Sequence, residues 1–290
     1  MRFNISYFGP ERIFNLRRDF FLLLKYGLES NGHEVVFAGH QLEANAINLL
    51  VGAYFLSPEQ MLKLRKTGVP YAVVNTEIVK DGMLNFQPKK TDLENAYIPL
   101  IKGGKFSWDV VPQNIPELKS VYGIDSALIR WAYHEKLEEL EVKEEPDLDF
   151  YFFGFVTERR KRMIDQMEQK GLKGLADHSC PYFLRNDRIS RAKVQINIRQ
   201  DVKYVHVNAF RIGYLANNRT AILSEQEEDP TNYLQYAEVV DKSRYAEAAI
   251  ELARGGRWKQ LREESYELYR EIHFKDVMEA VLESSLARAS

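Results

Sequence analysis

Residues 149–165 read DFYFFGFVTERRKRMID, and the order of those residues sets the reading of the whole chain. Phe150, Tyr151, Phe152 and Phe153 form a short apolar run of the kind buried on both faces of a parallel sheet. Gly154 ends the run, and Thr157 is placed to cap a helix whose first turn carries Glu158, Arg159 and Arg160. Cations are disfavoured there, because the helix dipole is positive at that end. A bound anion reverses the sign of the effect, since free amides and guanidinium forks are its matching donors. The alternative is a solvated basic helix start, with Glu158 and Asp165 as ion-pair partners.

Outward from this stretch, strands and helices alternate. Residues 2–8 read as a strand ending in Gly9-Pro10, and Ile13, Leu16, Phe20, Leu23, Leu24 and Leu28 recur at helical spacing over 12–30. Further strands are expected at 33–38, 46–51, 71–74 and 127–132, with extended chain at 106–111. Helices are expected at 58–67, 92–102 and 116–122. Residues 136–147, KLEELEVKEEPD, are charged, poor in apolar side chains and broken by Pro146, as a linker would be. Alternation then restarts, with strands at 149–154, 193–198, 220–224 and 237–240. Helices fall at 158–170, 206–217 and 243–253, followed by a helical tail over 257–285. The expected organisation is α/β, with two Rossmann-like domains facing across a cleft and C-terminal helices. It places an acceptor-side domain at 1–135, a linker at 136–148 and a nucleotide-sugar-binding domain at 149–290.

Bulk properties bound the function. A chain of 290 residues suits two domains of ~150. The net charge of −2, from 40 basic and 42 acidic residues, excludes a generally cationic nucleic-acid binder. The single cysteine, Cys180, forbids an internal disulfide and fits a reducing compartment. No apolar run approaches the ~20 residues of a membrane span, and MRFNISYFGP is too polar for a signal peptide, so a cytoplasmic location is expected.

In open α/β sheets ligands bind beyond the carboxyl ends of the strands. That selects Gly9, Arg12, Gly39, His40, Gly52, Asn75, Thr76, Glu77, Asp109 and His134 in the first half. In the second half it selects Gly154, Arg159, Arg160, Asn197, Arg199, Ser224, Glu225 and Asp241.

Residues 190–225, SRAKVQINIRQDVKYVHVNAFRIGYLANNRTAILSE, resemble the corresponding segment of CgeB-like glycosyltransferases, which belong to the two-Rossmann (GT-B) group. Lys193, Asn197, Arg211, Ser224 and Glu225 fall on that pattern, whereas Asn208 stands where the family has Glu. The Phe-Gly…Arg-Arg stretch around Gly154, Arg159 and Arg160, FSWDVVPQNI with Trp108, Asp109 and Asn114, and VVNTE with Thr76 and Glu77 also look like theirs.

The resemblance implies transfer of a sugar from a nucleotide donor, UDP-sugar first, with no obligatory metal or other cofactor. The acceptor stays open among glycan, small molecule, protein and nucleic acid. It implies donor contacts from Gly154, Arg159, Arg160, Asn197, Asn208, Arg211, Ser224 and Glu225, with Arg159 and Arg160 first for the diphosphate. Glu77 is the first candidate for a base toward an acceptor hydroxyl and Asp109 its competitor, with His40 and His134 behind them.

The bland readings stand beside these. Arg211 can be a structural ion pair, Lys193 a solvated edge charge, and Asn197 a satisfied core amide. Glu227, Glu228 and Asp229 read as solvated. His178, His206 and His273 lack metal-ligand spacing, and Cys180 lacks a partner. Rival functions are a non-catalytic nucleotide- or sugar-binding protein, an epimerase, or a sugar transferase acting on nucleic acid. The last is favoured if Arg17, Arg18, Lys63, Arg65 and Lys66 line one groove. A homodimer is also open.

Overall fold

A computed structural model describes residues 1–87 and 92–289, and the chain divides into two units. The first comprises Met1–Arg17, Phe21–Arg130 and Phe274–Ser290; the second comprises Arg18–Phe20 and Trp131–His273. Residues 136–148 thus lie inside the second unit, and the end of the chain counts with the first.

The first unit is built on a six-stranded parallel sheet in the order β2-β1-β3-β4-β7-β8. The strands are β1 (Arg2–Tyr7), β2 (Glu34–Gly39), β3 (Ile47–Val51), β4 (Tyr71–Asn75), β7 (Ser107–Asp109) and β8 (Ala127–Leu128). A two-stranded antiparallel hairpin, β5 (Val79–Lys80) and β6 (Met83–Leu84), hangs beyond β4 and was not expected. Its strands are two residues long, too short to show a period. Central strands are covered on both faces, so even polar members are buried and must be satisfied. Asn4 donates to Asn48 Oδ1 at 2.8 Å and to the Gln41 carbonyl at 3.0 Å.

The helix expected over 12–30 is two, α1 (Glu11–Leu16) and α2 (Arg18–Ser30), broken at Arg17. Helices α3 (Pro58–Arg65), α4 (Ile98–Lys102) and α5 (Asn114–Tyr122) follow, and α3 begins with a complete Ser57–Gln60 capping box and Pro58 in its first turn.

The second unit has a five-stranded parallel sheet in the order β10-β9-β11-β12-β13. Its strands are β9 (Leu148–Phe153), β10 (Gly174–Asp177), β11 (Ala192–Asn197), β12 (Ile222–Glu225) and β13 (Glu238–Val240). Helices α6 (Glu158–Gln169), α7 (Tyr182–Ser190), α8 (Ala209–Asn217), α9 (Tyr245–Gly255) and α10 (Arg257–Arg270) belong to it. Phe150, Tyr151 and Phe152 are buried, as the apolar run implied. β10 and α7 were missed, because the half-buried edge strand GLAD carries no apolar run and α7 exposes its first aromatic residues, Tyr182 and Phe183, rather than burying them.

The helical tail is also two helices, interrupted at 271–273 where Tyr133 N–H donates to the Ile272 carbonyl at 2.9 Å. The last helix, α11 (Phe274–Ala289), packs in the first unit. There the Phe274 ring leaves no room for a Cβ on Gly27, and Trp108 Nε1 donates to Ser285 Oγ at 2.8 Å. Among the described residues no helix is long and apolar enough to cross a membrane.

Both sheets place their first strand between the second and the third. The crossover direction therefore reverses between β1 and β3 in one unit and between β9 and β11 in the other. That reversal opens a crevice at the carboxyl ends of those strands.

Gly174 lies against Phe150 so closely that an added Cβ would sit 1.9 Å from the ring. Gly174→Ala is expected to destabilise the protein by about 1–3 kcal/mol, the usual range for an overpacked core, measured by urea unfolding. An unchanged midpoint would show that the ring moves freely.

Candidate functional site

The crevice of the second unit gathers arginines. Thr157 caps α6, accepting from the Arg160 amide, and places Arg160 beside the ends of β9 and β11. Arg160 Nε donates to the Ile198 carbonyl at 2.8 Å and Nη1 to the Phe155 carbonyl at 2.7 Å. From α8, Arg211 Nη2 donates to the Phe153 carbonyl at 2.8 Å and Nη1 to Asn197 Oδ1 at 2.8 Å. Both guanidinium groups lie over the Phe152 ring, at 5.0 and 4.8 Å from its centroid. Gly154, at φ +127°, leaves their space open, since a Cβ there would come within 2.8 Å of Arg211 Nη2.

Each of these arginines is only 5% exposed, and neither forms a carboxylate ion pair among the described residues. Arg211 Nε is buried without a hydrogen-bond partner among them. Burial, followed by the neighbouring Arg211 charge, pushes the Arg160 pKa down to about 9, and burial pushes Arg211 to about 10. The protein thus holds two buried positive charges whose counter-charge is not supplied in direct contact.

The other expected donor residues have partners of their own. Arg159 pairs with Glu225 and donates to the Arg199 carbonyl at 2.9 Å. Glu225, 1% exposed, also accepts from the Arg199 amide at 3.1 Å and from Arg199 Nη2 at 3.2 Å. Burial pushes its carboxyl up, but the Arg159 and Arg199 hydrogen bonds outweigh this and hold it below its ordinary value. Asn197 is a buried, fully partnered amide: besides accepting from Arg211, it donates to Ser224 Oγ at 2.9 Å and Glu227 Oε2 at 3.0 Å. Asn208 is the exposed N-cap of α8, accepting from the Arg211 amide at 3.2 Å. Lys193 pairs with Asp149 at 2.7 Å.

Glu227 corrects the reading of the acidic run. It is 8% exposed and buried among the arginines, while the Glu228 side chain is open and pairs with His206. Asp229 accepts from the Leu234 amide at 2.5 Å and so closes a turn. Composition carried no such signal, because Glu227 lies beyond the end of β12, where strand alternation no longer sets which way a side chain points.

In the first unit, Glu77 lies beyond β4. It accepts from Arg17 Nη2, from Asn85 Nδ2, and from Tyr54 Oη at 2.6 Å. Burial acts to raise its pKa, but the Arg17 charge and these hydrogen bonds outweigh it and hold the carboxyl below its ordinary value. Asp109 is fully buried. Its oxygens accept from Asn75 Nδ2 at 2.7 Å, the Val111 amide at 2.7 Å and Asn114 Nδ2 at 3.0 Å, and burial still pushes its pKa up to about 7. Asn75 and Asn114 both donate to the Glu77 carbonyl at 2.8 Å, so Asp109 supports the Glu77 turn from beneath.

Arg17 is engaged by Glu77, and Arg18 pairs with Glu139 at 2.9 Å within the second unit. Tyr54 and Asn85 escaped sequence reasoning because their side chains reach Glu77 only through the fold.

Arg159→Ala strands a buried carboxylate on one remaining arginine. It is expected to cost about 3–5 kcal/mol in urea unfolding, the range for breaking a buried pair, with part recovered by adding Glu225→Gln. A loss below about 1 kcal/mol would show that Arg159 is free to serve a ligand.

No protein-family model matches the chain, and no curated protein matches its sequence. Solved structures do. An α-glucosyltransferase in complex with UDP-glucose and DNA containing an abasic site superposes with TM-score 0.66 at 12% identity, covering 98% of this chain and 99% of that one. The β-glucosyltransferase of T4 phage gives 0.53 at 11%, covering 100% and 97%. Sucrose-phosphate synthase from Thermosynechococcus elongatus gives 0.56 at 12%, covering the full length of both. Identity this low speaks to the fold alone, two Rossmann-like α/β units as in GT-B structures, which agrees with the fold class expected from the sequence.

Proposed function

We propose that the chain is a glycosyltransferase that takes a sugar from a nucleoside-diphosphate donor, UDP-sugar first, and passes it to an acceptor hydroxyl. The observation that carries the reading is the Arg160–Arg211 pair, buried over Phe152 with no carboxylate partner among the described residues. A diphosphate between them would satisfy Arg211 Nε and restore charge balance. As the bond from the anomeric carbon to the diphosphate breaks, negative charge grows on the leaving oxygens. The two guanidinium groups are already in place to stabilise it, with no metal in the scheme. The acceptor oxygen forms the new bond and its proton passes to a base. Glu77 is our candidate for that role, and Asp109 holds its turn. The neighbouring structures support the reading, since they are glucosyltransferases in complex with UDP-glucose and UDP.

The closer kinship to CgeB-like transferases rests on the four sequence segments alone. A nucleic-acid acceptor is the second reading, favoured by two neighbours solved with DNA.

Titration calorimetry with UDP and UDP-glucose, joined to an assay of UDP release, tests the proposal. UDP is expected to bind, and at 100 times its Kd to add about 2.7 kcal/mol of stability. Arg211→Lys and Arg160→Lys keep the charge but lose the fork, and are expected to weaken UDP by at least tenfold, about 1.4 kcal/mol. Binding without turnover under any acceptor would favour a non-catalytic binder, and no nucleotide binding would overturn the donor site.

A further inference from the structure

The anion site contains a carboxylate of its own. Glu227 Oε2 accepts from Asn197 Nδ2 at 3.0 Å, and Asn197 Oδ1 accepts from Arg211 Nη1 at 2.8 Å. One side-chain amide therefore joins carboxylate to guanidinium, and the two do not touch. We infer that Glu227 is the internal counter-ion of the Arg160–Arg211 site and takes up a proton when a polyanion binds there, which links ligand binding in this unit to pH. The inference rests on the donor-site reading and deepens it.

Every charged or titratable group around Glu227 bears on this. Arg211 from α8, Arg160 from α6 and Arg199 beyond β11 face it with positive charge, and Glu225 faces it from its own segment. Glu225 is already held by Arg159 and Arg199, which leaves Glu227 as the carboxylate that answers to the other two arginines. Tyr245 from α9 is neutral, its hydroxyl donating to the Leu223 carbonyl at 2.7 Å and the Asn197 carbonyl at 3.1 Å. His206 is paired with Glu228.

In the free protein an ionised Glu227 offsets part of the buried positive charge. A bound diphosphate supplies that charge better, and would then face a second anion across one amide. The conflict is removed when a solvent proton adds to the Glu227 carboxyl. Asn197 Nδ2 still donates to it, and no other bond changes. Burial places the free group where this is easy, pushing its pKa up to about 7 against the Asn197 hydrogen bond and the Arg211 charge. At pH 8 the free carboxyl is mostly ionised and the bound one protonated, so binding weakens as pH rises above about 7 and levels off below it.

Glu227→Gln keeps the shape and the acceptor for Asn197 but cannot titrate. UDP is titrated calorimetrically into wild type and Glu227→Gln from pH 6 to 8.5, in buffers of differing ionisation enthalpy. UDP's own titration is common to both proteins and cancels in the difference. Wild type is expected to take up close to one proton more than the variant at pH 8. Above pH 7 it should lose affinity relative to the variant by up to tenfold per pH unit. UDP binding with equal proton uptake and parallel pH curves overturns this inference alone. UDP binding to neither protein overturns it together with the donor site.

Discussion

Two guanidinium groups, buried without a carboxylate in contact among the described residues, are the constraint on which the second unit turns. Removing such ions from water is expensive, and carbonyl dipoles offset only part of the loss. The topology supplies those dipoles. Where β9 and β11 end, their last peptide groups leave the ladder, and the carbonyls of Phe153, Phe155 and Ile198 receive Arg211 and Arg160. The Phe152 face adds a weak attraction beneath both. Gly154 keeps the space clear at a φ that other residues adopt at a cost. Strand order, glycine and ring together hold the two guanidinium groups in place.

The same sheet edge keeps its negative charges apart by degrees. Glu225 is gripped by two arginines and is closed to a ligand as it stands. Glu227 is held one amide away from Arg211 and keeps a pKa near neutrality. Two carboxylates two residues apart thus have opposite electrostatic fates. The difference lies in direct contact: hydrogen bonds to the charged form outweigh burial for Glu225, and burial wins for Glu227.

The fold was legible because both sheets are parallel, and buried strands such as FYFF and NLLV announce themselves as apolar runs. What escaped has little local signal: the edge strand at 174–177, the short α7, and a hairpin two residues wide. Arg160 and Arg211 could be singled out by position, at a helix start and on an apolar helix. Their lack of carboxylate partners could not, because it depends on which acids the fold brings near. Arg159 shows the limit. It shares a helix turn with Arg160, yet the helical rotation of about 100° per residue carries it to Glu225 instead of the carbonyl cage. Glu227 was misread from composition, since it lies past the end of β12 and its burial depends on the arginines the fold brings to it.

The first unit uses the same strand reversal to a different electrical end. Its crevice holds a carboxylate, Glu77, gripped by Arg17, Tyr54 and Asn85 and kept below its ordinary pKa. A carboxylate with so many donors is a strong hydrogen-bond acceptor and a weak proton store. Asp109 has the inverse character: its pKa near 7 would suit a base, but its oxygens are sealed beneath the turn it supports. Among the donors to Glu77 the Arg17 guanidinium contributes most to holding the pKa down, so freeing Arg17 would raise Glu77 toward basicity more than losing Tyr54 or Asn85. The residue that breaks α1 from α2 is thus the one that sets how basic the edge carboxylate is.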